Sequence, residues 1–95
     1  MHYILARITV KPDAADAAKV ILTELVKKSR HDAGCASYEL YQQADAPHVF
    51  QTVEHWNSKA DADAHMKTPH IGAAIAAAGP MFAAPPEILA YDKLM

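Results

Sequence analysis

The sequence is short of the residues that build the commonest sites. Cys35 is the only cysteine, so no disulfide can form within the chain, and that usage is compatible with a reducing compartment. Only three glycines are present. They form no Gly-rich run, which argues against a phosphate-cradling loop and so against a nucleotide or flavin site of the usual kind. No apolar run approaches the roughly 20 residues that a membrane span needs. No basic segment followed by an apolar core opens the chain. Positive charge is not clustered either. Lys27, Lys28 and Arg30 fall near the end of an expected helix, where they complement its dipole. With a net charge of −2, the chain lacks the basic footprint of a nucleic-acid binder. The expectation is a cytoplasmic protein with neither a membrane nor a nucleic-acid partner.

What is present is a chain of 95 residues, read as one domain over residues 1–95. A domain of that size buries a modest fraction of its surface, so association is a natural source of added stability. Residues 2–10 alternate as a strand, with Ile4, Ile8 and Val10 on one face and Tyr3, Leu5, Arg7 and Thr9 on the other. Lys11-Pro12-Asp13 ends it, with Asp13 a candidate N-cap for a helix over 14–32. Ala14, Ala18, Ile21, Leu22, Leu25 and Val26 line one side of that helix, and Asp32 lies off it. Gly34 suits the helix stop. Residues 36–43 and 48–56 read as a hairpin around a 44–47 turn. Ser58 and Asp61 approximate a capping box for a helix over 59–67. Thr68-Pro69 opens another helix over 69–78. Gly79-Pro80 breaks it, and 87–94 reads as a last strand.

The order β-α-β-β-α-β, with the second helix split, predicts an α+β fold of the ferredoxin-like type, with helices on one face of a four-stranded antiparallel sheet. Every strand carries apolar groups on both faces. One helical layer covers only one of them, so a homodimer packed sheet against sheet is expected.

Chemistry concentrates around Glu54-His55-Trp56, His65-Met66 and Thr68-Pro69-His70. Phe50, Thr52, Glu54 and Trp56 share a strand face. A buried Glu between Phe and Trp suits acid-base work if burial raises its pKa, or it is a structural carboxylate held by backbone donors or an arginine. Trp56 is either core or the aromatic wall of a pocket for a planar ligand. His65, on the next helix, can turn toward that face and is the side chain best suited to proton transfer near neutrality. His70, in the first turn of the following helix, frames the pocket mouth or the dimer edge, or is solvated. His65 and His70 are five apart across a proline-started helix and are not expected to share a face. His31 and Cys35 are separated by the Gly34 stop. No metal site is therefore expected. Cys35 reads as structural.

These residues in this order resemble the antibiotic biosynthesis monooxygenase domain family, in particular its small quinol monooxygenase-like members. The matching elements are Gly34-Cys35, Tyr38, Phe50, Glu54, Trp56, His65 and Thr68-Pro69-His70. The resemblance implies a dimeric α+β barrel with a pocket between sheet and helices in each subunit. It also implies oxidation of a small phenolic, quinol or polycyclic aromatic by O₂ with no cofactor. On that footing Trp56 and Phe82 wall the pocket and Phe50 lies beside it. His65 moves the proton, Glu54 orients His65 or shares the proton, and Tyr38 is a further donor. Haem-degrading relatives carry an Asn on the first strand and a late ligand His. Here the strand reads Leu5-Ala6-Arg7 and no His follows Gly72, which disfavours haem. The family also holds an isomerase of phosphorylated keto compounds that shares the His…Thr-Pro-His pattern. Such a substrate needs cations in the pocket, for which Arg7 or Lys67 would serve. A non-catalytic small-molecule-binding module is the third reading.

Overall fold

The computed structural model describes residues 1–95. Four strands, β1 (His2–Thr9), β2 (Cys35–Gln43), β3 (Ala46–Trp56) and β4 (Glu87–Tyr91), form one sheet in the order β2-β3-β1-β4. All neighbours are antiparallel. The helices are α1 (Ala15–Ser29), α2 (Lys59–His65) and α3 (Pro69–Ala78). This is the ferredoxin-like α+β arrangement expected from the order of elements. No helix is long and apolar enough to cross a membrane.

Local chemistry explains most boundaries. Ser58 caps α2 by accepting from the Asp61 amide at 3.1 Å, and Thr68 caps α3 by accepting from the Ile71 amide. Pro69 then occupies the first turn, where a missing N–H costs nothing. Gly34 has φ +79°, and a Cβ there would overlap the Asp61 carboxylate. Both facts require glycine at the bend that brings β2 beside α2.

Several boundaries differ from the expected ones. The helix expected over 14–32 is preceded by a 3₁₀ turn, Pro12–Ala14, and ends at Ser29. Asp13 lies inside that turn and caps nothing, since Pro12 starts the turn one residue earlier. Asp32 is thereby released from the helix into the turn before Gly34. The β2-β3 turn shrinks to Ala44-Asp45, with a register shift at Gln42/Gln43, and α2 stops at His65 rather than at Lys67. The last strand stops at Tyr91 because β1 offers pairing only for residues 87–91.

The alternation of each strand divides the side chains. Ile4, Ala6 and Ile8 of β1 and Phe50, Thr52, Glu54 and Trp56 of β3 are buried beneath the helices. Register sets Tyr38 beside Glu54 and Glu54 beside Ile4. Two apolar clusters result. One gathers Phe50, Ile8, Val10, Leu22, Leu25 and Ile71. The other gathers Trp56, Tyr38, Ile4, Val26 and Ala62. On the opposite face β1 sets Tyr3 beside Tyr91 and Leu5 between Val53 and Leu89, and Leu89 and Tyr91 are about half exposed.

Ser29 is fully buried and its hydroxyl has no hydrogen-bond partner. An orphaned buried hydroxyl is destabilising. Ser29→Ala is therefore expected to raise unfolding free energy by about 1 kcal/mol, read as a higher denaturant midpoint at unchanged m-value. A fall in the midpoint would show that the hydroxyl does find a partner.

Candidate active site

Between the sheet and the helices lies a cavity of about 100 Å³. Its walls are mostly aliphatic, from Ile4, Ala6, Leu22, Ile71 and Ala74, with Phe82 and Ile88 toward the β4 edge. The polar side chains on its surface are Tyr38, Thr52, Glu54 and His65. Three of these come from neighbouring positions of β2 and β3, and the fourth from the last residue of α2.

Glu54 is 4% exposed, yet it is not short of partners. One oxygen accepts from the Thr52 hydroxyl at 2.7 Å and the other from the Trp56 indole N–H at 3.0 Å. Thr52, Glu54 and Trp56 sit two apart on one strand, so their side chains point the same way and the period of the strand assembles the network. Bonds to an ionised acceptor contribute about 1.5–3 kcal/mol each. Tyr38 stands beside this carboxylate. Burial first, then the Glu54 negative charge, pushes its phenol pKa far above the ordinary value, which keeps Tyr38 a neutral O–H donor. Burial, followed by the charges of Asp32 and Glu54, also raises the Cys35 thiol. A raised pKa leaves little thiolate and agrees with a structural role.

The Tyr38 shift carries a pH signature. An unfolded tyrosine ionises near pH 10, whereas folded Tyr38 holds its proton to higher pH. The folded state then binds the extra proton. Its stabilising contribution is complete below about pH 10 and is lost as pH rises, by up to about 1.4 kcal/mol per unit. Denaturation from about pH 9 to 11 should show that slope, and Tyr38→Phe should flatten it. An unchanged slope in the variant would remove Tyr38 as its source.

His65 is 2% exposed. Its Nδ1 lies 2.7 Å from Asp32 Oδ2, and Trp56 stacks on the ring at 4.6 Å with a 36° tilt. The same Asp32 oxygen lies 2.9 Å from His70 Nε2. An ionised carboxylate only accepts, so it selects the tautomer with hydrogen on Nδ1. The Nε2 lone pair is left free, and Nε2 makes no hydrogen bond within the chain. A neutral imidazole fixed by a carboxylate and an indole, on the wall of an apolar cavity, is suited to accept a proton.

Several expected site residues move. Glu54 makes no hydrogen bond with His65; its two oxygens accept from Thr52 and Trp56. The carboxylate in contact with His65 is that of Asp32. Trp56 is fully buried and lies behind the cavity rather than on it. Phe50, 1% exposed, is core, while Phe82 does line the cavity. His70 is not on the wall; it holds Asp32 from the other side. Arg7 is exposed on the opposite face of the sheet, in a shallow groove with Glu87, Leu89 and Tyr91, because its position on β1 alternates with Ala6 and Ile8. Lys67 is exposed and off the cavity. His65 and His70 also converge, contrary to the expectation from spacing. The turn at Met66-Lys67-Thr68 redirects the chain between α2 and α3, so helical periodicity does not run through it.

Asp32 was invisible as a site residue because a helix extended to 32 placed it off the apolar face. The signal that could have found it is an Asp two positions before a required glycine, where the backbone has left the helix. Thr52 shares the Glu54 face and could have been read from alternation alone.

The model of the antibiotic biosynthesis monooxygenase family matches residues 1–77. This chain belongs to that family. Asp32, Tyr38, Glu54, His65 and His70 all fall inside the matched stretch, whereas Phe82 and Ile88 fall beyond it. Rv0793 of Mycobacterium tuberculosis is 33% identical over 67 residues, covering 70% of this chain and 65% of that protein. YcnE of Bacillus subtilis is 27% identical over 94% of both chains. Both carry the name of a candidate monooxygenase. The Synechocystis protein sll1783 is 28% identical over 93% of this chain but only 60% of its own length. The chain thus spans less than two-thirds of two of these relatives. In structure, a family member from Nitrosomonas europaea superposes with TM-score 0.95 over the whole of both chains at 25% identity. Rv0793 superposes with TM-score 0.90 over 99% of this chain and 95% of its own.

Proposed function

We propose that this protein is a cofactor-independent monooxygenase of a small phenolic or quinol substrate. The observation that carries the reading is His65. It is a buried imidazole on an apolar cavity, with Nδ1 fixed by Asp32 and Nε2 free of protein partners. The cavity, about 100 Å³, is about the size of one aromatic ring. Its small number of polar groups suits a flat apolar ligand with one or two hydroxyls.

The substrate itself supplies the electrons. A quinol hydroxyl beside His65 gives its proton to Nε2, and Asp32 stabilises the imidazolium. Tyr38 donates a hydrogen bond to the oxyanion. The resulting anion passes one electron to O₂. The radical pair joins at a ring carbon, forming a C–O bond. The O–O bond then breaks as the ring C–H proton leaves. One oxygen stays as a new carbonyl and the other departs as water. The balance is quinol plus O₂ to hydroxyquinone plus water, with all four electrons taken from the substrate. Apolar walls exclude water from the anion and strengthen each polar contact. The alternative isomerase reading needs a cation for a phosphate, and no lysine or arginine lines the cavity.

The reading extends to a homodimer in a reducing, cytoplasmic setting. The outer sheet face carries Tyr3, Leu5, Val53, Leu89 and Tyr91, an apolar row that a second copy would cover. Light scattering should then give twice the 10.3 kDa chain mass. The decisive experiment is O₂ uptake by metal-free, flavin-free protein across a panel of mono-, di- and trihydroxy aromatics. Uptake above autoxidation, with a hydroxyquinone product, is expected. Uptake equal to buffer for the whole panel overturns the reading.

A further inference from the structure

We propose that Asp32, His65 and His70 form a binding site for a divalent transition metal, and that the bound ion silences His65 as a base. Asp32 Oδ2, His65 Nδ1 and His70 Nε2 lie within 4.8 Å of one another. Two imidazoles and one carboxylate are a recurrent set for zinc, cobalt, nickel and iron. Metal bonds of about 2.0–2.1 Å in a tetrahedral array set ligand atoms about 3.3 Å apart. The two nitrogens stand 2.7 and 2.9 Å from the oxygen and within 4.8 Å of each other, so coordination needs each N–O separation to open by about half an ångström and the two imidazoles to close on one another. Asp32 Oδ1 makes no hydrogen bond within the chain. The side chains of Asp32 and His70 are 14% and 16% exposed, which gives the ion an entry from solvent and a water as fourth ligand.

The site lies behind the cavity, not in it. His65 is on the cavity wall, whereas Asp32 and His70 are not. An ion held through Nδ1 is therefore separated from the substrate by the imidazole ring and takes no part in chemistry on it. Its effect passes through the tautomer. With the metal on Nδ1, the neutral ring carries its hydrogen on Nε2. The proton that stood on Nδ1 has moved to the nitrogen that accepted the substrate proton, so no net proton is released and the base is gone. The Asp32–His65 contact is thus either an orienting hydrogen bond or one side of a metal site. Ion binding rests on the geometry alone; the silencing rests on the reading of His65 as base.

Chelator-treated protein titrated with Co²⁺ tests both parts. The expected result is one ion per chain with the visible absorption of a low-coordinate cobalt centre, displaced by Zn²⁺. Asp32→Asn and His70→Gln should each weaken binding at least tenfold. Wild-type protein gives a second readout that needs no variant: with diamagnetic Zn²⁺ the imidazole proton signals of His65 and His70 should shift, whereas those of His2, His48 and His55 should not. No stoichiometric cobalt spectrum, or equal binding by the folded variants, overturns the site. In O₂ uptake, saturating Zn²⁺ should lower kcat at least tenfold, with chelator restoring it. Unchanged or increased turnover in the metal-loaded protein overturns the silencing while leaving the spectroscopic result to decide the site. Absence of turnover in metal-free protein strikes instead at the monooxygenase reading, since the cobalt titration requires no substrate.

Discussion

His65→Ala is expected to lower kcat for O₂-dependent turnover by about 10²–10⁴-fold, the usual range for losing a positioned general base. KM should change little, because a single hydrogen bond contributes modestly to binding a mostly apolar ligand. Asp32→Asn is the informative companion. The amide keeps the size of the side chain but presents an N–H as readily as an oxygen, so it no longer selects the Nδ1–H tautomer. It should lower kcat less than His65→Ala does, and leave far-UV circular dichroism unchanged. Because His65 is packed against Trp56 and Tyr38, its variants must be shown folded by that spectrum before kinetics are read. A folded His65→Ala with wild-type kcat would remove the imidazole from the chemistry and with it the role given to Asp32.

Trp56→Ala should be the most destabilising single substitution in the chain. Trp56 is 0% exposed, and truncating a buried aromatic to alanine costs about 3–5 kcal/mol. Its N–H also serves one oxygen of the buried Glu54, and stranding that acceptor adds about 1–3 kcal/mol. Small domains have about 5–15 kcal/mol in all, so the variant should be largely unfolded at modest denaturant concentration. Trp56→Phe separates the two contributions. It retains most of the ring volume and loses the donor, so a cost of about 1–3 kcal/mol is expected. The chain has one tryptophan, so unfolding must be followed by circular dichroism rather than by indole fluorescence. Equal midpoints for Trp56→Phe and wild type would mean that the N–H bond to Glu54 contributes nothing net.

The two variants act on different parts of one arrangement. The β3 triplet Thr52, Glu54 and Trp56 is a local construction, legible from alternation because side chains two apart on a strand face together. The caps at Ser58 and Thr68 were legible for the same reason: each is decided within four residues. Gly34 is a required bend but not the stop of α1, which ends at Ser29, five residues earlier. The Asp32 contacts were not legible. They join residues 33 and 38 positions apart, and no local rule reaches that far. The Arg7 assignment shows the converse. Its strand and its face follow from alternation, yet a role in the cavity requires the other side of the sheet, where Ala6 and Ile8 stand. Alternation fixes the side on which a residue stands, and that geometry excludes it within this chain.

The sequence by itself thus determined the order of elements, the faces of the strands and the carboxylate and indole that share one of them. These follow from periodicity and capping, which are short-range physics. Only the tertiary structure decided which residue holds His65. Each Glu54 oxygen accepts from a neighbour on its own strand. Asp32 is brought to His65 and His70 by the end of α1 at Ser29, the left-handed Gly34 and the turn between α2 and α3. Those three bends set the relative positions of distant side chains, and hydrophobic packing of the helices on the sheet holds them there.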